Sequence, residues 1–97
     1  MNEVIKLVSQ GGPTSIYIDV RINENGDLLF SGQDLGEAPE EVFGDSDYEY
    51  WLTIPAVEKD RMLLALIEKH YGGDSSVIST LKDLMESKKI PCEFSSY

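Results

Sequence analysis

The chain is poor in the residues that carry most enzyme chemistry. Among its 97 residues stand one cysteine, one histidine and one tryptophan, with eight lysines and arginines against 18 aspartates and glutamates. Each scarcity excludes something. A lone Cys92 cannot close an internal disulfide, the usage expected of a cytoplasmic protein. With His70 as the only histidine, cysteines and histidines cannot assemble a tetrahedral zinc site. A serine or cysteine nucleophile would likewise have a single base to draw on. His70 falls near the C-terminal end of a predicted helix, where the dipole favours a protonated imidazole and the role is structural. No run of 18 apolar residues occurs, so no helical membrane span is expected. The N-terminal stretch, residues 1–8, is too short for the apolar region of a secretory signal. The shortage of bases leaves a formal net charge of -10. Phosphate would be repelled, which argues against nucleic acid as a direct ligand.

What is present suits a folded domain. The hydrophobic fraction is 41%, too high for a disordered acidic tail. The length fits one domain, 1–97, burying roughly 60–68% of its unfolded surface in a modest core. The charge, however, is concentrated. Residues 1–21 balance Glu3 and Asp19 against Lys6 and Arg21, and residues 59–97 balance six acids against six bases. The whole excess lies in residues 22–58: Glu24, Asp27, Asp34, Glu37, Glu40, Glu41, Asp45, Asp47, Glu49 and Glu58, with no lysine or arginine among them. Ten uncompensated carboxylates repel one another, and such a field steers a basic partner.

Hydrophobic patterning predicts the elements. Residues 3–8 read as a first strand, broken by Gly11-Gly12-Pro13. In the second, residues 15–23, Ile16, Ile18, Val20 and Ile22 alternate with Tyr17, Asp19 and Arg21. Asn25-Gly26 favours a tight hairpin with positive φ at both positions. A third strand covers 27–32. Residues 31–44, punctuated by four glycines and prolines, read as a loop with one helical turn over 40–43. The fourth strand, 48–54, sets Tyr48, Tyr50, Leu52 and Ile54 against Glu49, Trp51 and Thr53. Pro55 suits a helix start, and that helix runs to about Tyr71 with Val57, Leu63, Leu64, Leu66, Ile67 and Tyr71 as its apolar stripe. Gly72-Gly73 stops it. Asp74 or Ser75 caps a second helix, with Val77, Ile78, Leu81, Leu84 and Met85 on its core face. Residues 90–94 read as a short final strand, with Pro91 at an edge. The order β-β-β-β-α-α-β predicts an α+β fold, an antiparallel sheet of four to five strands with two helices packed on one face.

The acids imitate a hard-metal site only briefly. Asp45, Asp47 and Glu49 alternate like the opening of a calcium loop, but Tyr50 replaces its glycine and Ala56 its final glutamate. No catalytic group, cofactor or metal is therefore expected, and the protein reads as a non-enzyme. The segment Gly44-Asp-Ser-Asp-Tyr-Glu-Tyr-Trp51 remains. Tyrosine and tryptophan are enriched at interface centres, and carboxylates around them pair with arginine or lysine on a partner. Tyr48 and Tyr50 are expected on the core face. Trp51 shares a side with Glu49, and an exposed tryptophan signals binding. The candidate partner-binding residues are Asp34, Glu37, Glu40, Glu41, Asp45, Asp47, Glu49 and Trp51.

Three strings, Ser31-Gly-Gln-Asp-Leu-Gly36, Gly44-Asp-Ser-Asp-Tyr-Glu-Tyr50 and Ile90-Pro-Cys-Glu-Phe94, resemble a group of small acidic bacterial proteins. Most members lack an assigned role, and some are treated as immunity-like partners of toxins. The likeness runs from about Ile16 to Phe94 and brings no catalytic motif. It implies an inhibitor or partner-binding role. The leading expectation is a cytoplasmic protein that neutralises a basic protein partner by occlusion, as an immunity protein of a nuclease toxin or a phage-type DNA mimic blocking a defence nuclease. The alternative is a structural or regulatory subunit, in which Trp51 and its neighbours form a homodimer or adaptor interface.

Overall fold

The structure, a computed structural model, describes residues 3–44 and 46–97. The chain divides into two compact units, Met1–Met62 and Leu63–Tyr97.

The first unit is an antiparallel meander of four strands: β1 (Val4–Gln10), β2 (Thr14–Ile22), β3 (Leu28–Gly36) and β4 (Asp47–Ile54), paired in chain order. Its register explains the alternation in the sequence. Ile16, Ile18, Val20 and Ile22 stand opposite Asp34, Gly32, Phe30 and Leu28, which in turn stand opposite Tyr48, Tyr50, Leu52 and Ile54. Residues directly across a pair of strands share a face, so these twelve positions form one mainly apolar face. On β1 the pairing shifts between Lys6 and Val8, which oppose Asp19 and Ile18. Leu7 is therefore the extra residue of a bulge, and the edge strand bends there.

The tight turn after β2 lies where Asn25-Gly26 predicts it, but its type differs. Gly26 has φ 82°, and among the described residues the positive-φ non-glycine is Lys89. Asn25 therefore stays in the ordinary region, and the hairpin is a type I turn closed by a left-handed glycine. The cause is Asn23. Its Oδ1 accepts from the backbone N–H of Asn25 and of Asp27, at 3.0 Å each, a side-chain turn that outweighs the preference for the mirror-image turn.

The reading of 31–44 as a loop is corrected: β3 continues through Ser31–Gly36 and pairs on both sides. Its two glycines are there for space and conformation. At Gly32 an added Cβ would run into the ring of Tyr50, which lies across it. Gly36 has φ 121° and faces the Pro13 carbonyl. Between β3 and β4 stands a complete short helix, α1 (Glu37–Phe43). Its first N–H groups are satisfied by the β1–β2 turn: Glu37 N–H donates to Pro13 O at 3.1 Å and Ala38 N–H to Thr14 Oγ1 at 3.0 Å. Pro39 is buried, and Gly44, at φ 74°, ends the helix in left-handed conformation.

After β4, Pro55 precedes a 3-10 turn (Ala56–Glu58) rather than opening the helix itself. Asp27 Oδ1 accepts the Ala56 N–H at 2.8 Å and ties this turn to the hairpin. The helix α2 follows (Lys59–Tyr71), ending at Gly72-Gly73 as expected, with Gly73 at φ 83°.

In the second unit, the end of α2 is followed by α3 (Val77–Ser87). Asp74 Oδ1 accepts the Ser76 N–H at 2.8 Å, just ahead of the first turn. Ile67, Tyr71, Val77, Leu81 and Met85 are half-buried, while Ile78 and Leu84, expected on the core face, are exposed. The predicted final strand is absent: residues 88–97 carry no strand. Helix α3 closes with Lys89 left-handed at φ 57°, Ile90 N–H bonded to Met85 O at 2.9 Å and Lys89 N–H to Glu86 O at 3.2 Å. This C-cap spends the donor of Ile90, and Pro91 has none to offer a ladder. The order among the described residues is thus β-β-β-α-β-α-α, still α+β, with four antiparallel strands.

Candidate functional site

The structure collects most of the predicted acids at one end of the meander. Glu37, Glu40 and Glu41 are exposed on α1. Two of them, Glu37 and Glu40, occupy its first turn, where carboxylates complement the helix dipole. The helix packs against β2, β3 and β4, so these carboxylates adjoin the start of β4, which contributes exposed Asp47 and Glu49. Gln33 Nε2 donates to Asp47 Oδ1 at 3.1 Å, so Asp47 is held in place across the strands. Asp45, also a candidate, lies outside the described residues.

Trp51 follows on the same face as Glu49 and is 62% exposed. Leu52, its neighbour on the apolar face, is exposed as well.

Asp34 is not brought together with Glu49 and Trp51. It lies on the apolar face, where the Tyr50 hydroxyl donates to its Oδ1 at 2.7 Å. Tyr48 and Tyr50 share that face, with ring centroids 5.3 Å apart; Tyr50 is half-buried, but Tyr48, expected on the core face, is exposed. The hydrogen bond to Asp34, then partial desolvation, then the negative charges of Asp34 and Tyr48 hold the Tyr50 phenol above its ordinary range. A raised folded-state value means that the fold favours the neutral phenol. That contribution is complete below the ordinary tyrosine value and is lost as pH rises through the raised one. Asp34→Asn should bring Tyr50 back toward the ordinary range, read from tyrosinate absorbance against pH with Tyr50→Phe as the reference. An unchanged titration curve would mean that Asp34 does not set it.

The register also exposes residues that the sequence alone does not associate with the acids. On the polar face, Tyr17, Gln33 and Glu49 form one cross-strand row, and Asp19, Ser31 and Trp51 the next. With the Gly32 backbone they line a shallow depression of about 260 Å³. The alternation of β2 already places Tyr17 and Asp19 away from the isoleucines. Their neighbours Ser31 and Gln33 become visible only once β3 is known to extend past Gly32.

Among the described residues, no group of three or more His, Cys, Asp or Glu is placed to hold a metal ion, and no helix is long and apolar enough to cross a membrane. Compared with protein-family models, with curated proteins and with solved structures, the chain matches none.

Proposed function

We propose that this protein binds a basic protein and neutralises it by occlusion, with carboxylates of α1 and β4 occupying positions that phosphates would take. The observation that carries this reading is that Glu37, Glu40 and Glu41 on α1 and Glu49 and Trp51 on β4 are all exposed, on a helix and a strand that pack together, in a stretch, 22–58, without a single lysine or arginine. Carboxylates spread along a helix and an adjoining strand offer repeated negative charge to a surface built for a polyanion. The aromatic ring supplies the buried area that fixes register, since charge at the rim mainly accelerates encounter. A partner of this kind is a nuclease, as in an immunity protein or a DNA-mimicking inhibitor, and the setting is the cytoplasm. Occlusion has a direct test. A double-stranded oligonucleotide should compete with this protein for its partner, each raising the apparent dissociation constant of the other. Simultaneous binding of both would sink the mechanism.

A second reading is favoured by a different observation. In the unit Leu63–Tyr97 no residue is buried, and Leu63, Leu64, Leu66, Ile78 and Phe94 are all exposed. Exposed apolar side chains in this number are a common interface material, which fits a structural or regulatory subunit that self-associates. Sedimentation over a range of concentrations decides it: a dimer that dissociates on dilution supports self-association, and a monomer throughout rules it out.

A further inference from the structure

We infer that the depression on the polar face is a seat for an arginine side chain. The inference rests on the binding reading above for the source of that arginine, a basic protein, and identifies which side chain the sheet receives and where.

The register dictates the arrangement. Two successive rows on one face, Tyr17–Gln33–Glu49 and Asp19–Ser31–Trp51, place the middle strand's Gln33 and Ser31 at the centre. Tyr17 and Trp51 then stand at one pair of opposite corners, Asp19 and Glu49 at the other. β2 and β4 are separated by two strand spacings, about 10 Å, room for a planar group in contact with a ring at about 3.5–4 Å. Small Ser31 leaves the floor low, and the Gly32 backbone completes it. Tyr17 and Trp51 are 44% and 62% exposed, so both rings present surface to an incoming group.

Chemistry then selects the occupant. Two aromatic rings attract a cation over their faces, most strongly over tryptophan. Two carboxylates without a hydrogen bond or ion pair among the described residues add charge complementarity. Gln33 uses Nε2 on Asp47, leaving its Oε1 to accept. The two carboxylates, Gln33 Oε1 and the hydroxyls of Tyr17 and Ser31 can all accept, which suits a donor-rich cation. A guanidinium stacks as a plane, forks to a carboxylate and sheds water more readily than an ammonium, so arginine fits better than lysine. Lys6 stands opposite Asp19 on β1 and offsets part of its charge. Glu49, with Gln33 as its cross-strand neighbour, is therefore the stronger anchor.

The test is an NMR titration of the full chain with glycyl-arginyl-glycine blocked at both ends, beside its lysine and citrulline counterparts. The arginine peptide should give saturable shifts at the Trp51 indole, Tyr17, Ser31 and Gln33. It should bind several-fold tighter than the lysine peptide, and citrulline, uncharged but of the same shape, should give none. Trp51→Ala should weaken arginine binding about tenfold, and Glu49→Gln should weaken it more than Asp19→Asn. Tyr17→Phe, which keeps the ring, should leave it intact. Lysine binding equal to arginine, a citrulline response, or no saturable shift on this face would overturn the inference. Glu37→Lys with Glu40→Lys separates the two ideas. If the arginine peptide fails while these reversals abolish capture of a basic partner, the seat falls and the binding reading stands. Arginine binding with capture indifferent to them confirms the seat and removes the occlusion by α1.

Discussion

Replacing Gly36 by alanine is expected to destabilise the first unit by about 3 kcal/mol. Two costs add at this position. Its φ of 121° with ψ -140° belongs to a region that only glycine visits freely, worth about 1–3 kcal/mol for another residue. The new Cβ would also press on the carbonyl oxygen of Pro13, a backbone atom that cannot swing aside, adding overpacking of about 1–3 kcal/mol. The Pro13 carbonyl is itself the acceptor for Glu37 N–H, so relief of the clash would loosen the start of α1. A loss of this size is a large fraction of a small domain's stability and would lower Tm by roughly 15 °C. Gly44→Ala is the internal control. At φ 74° with open space around it, Gly44 carries only the conformational cost, about 1 kcal/mol. Urea denaturation of the two variants separates the terms, and equal losses would show that the Pro13 contact is not limiting.

The second large effect is on binding. Reversing Glu37, Glu40, Glu41 and Glu49 to lysine changes the charge by two at each position, so four reversals take -10 to -2. All four side chains are exposed, and surface changes of this kind cost the fold about 0.5 kcal/mol or less each. The lysines in the first turn of α1 oppose its dipole by a further 0.3–1 kcal/mol or so. Each reversal replaces an attraction to the partner with a repulsion. At about 0.2–1 kcal/mol per exposed pair, doubled by the change of sign, the four together weaken binding by about 3 kcal/mol, roughly 100-fold. The loss should be greatest at low salt, because exposed charges beyond a Debye length of about 10 Å at 0.1 M are screened. Titration calorimetry at two salt concentrations measures both quantities. Glutamine at the same four positions, which removes attraction without adding repulsion, should give about half the free-energy change.

Much of the sheet was legible because successive strand residues point to opposite faces, so one apolar face imposes period two. Ile16 to Ile22 and Tyr48 to Ile54 alternate visibly, and the same alternation puts Trp51 with Glu49 and away from the tyrosines. What stayed hidden depends on contacts distant in the chain. Gly32 and Gly36 look like loop punctuation until Tyr50 is laid across one and Pro13 set against the other. The end of β3 therefore disappears into an apparent loop, and with it the register that separates Asp34 from the other acids. The final segment fails for the opposite reason. Ile90-Pro-Cys-Glu-Phe94 has strand composition, but the left-handed Lys89 draws the Ile90 donor back to α3. Local side-chain chemistry decided the hairpin too, where Asn23 selects one turn type over the one that Asn25-Gly26 suggests.

That the acids of α1 and β4 bind a basic protein is the decisive point. It is tested most directly by capture from the native host with two baits, the wild-type chain and the four-lysine variant, with retained proteins quantified at low and high salt. The prediction is a protein of net positive charge enriched on the wild-type bait at low salt, released by salt, and missing from the variant. Retention of the same proteins by both baits, or a partner that salt does not release, would contradict it.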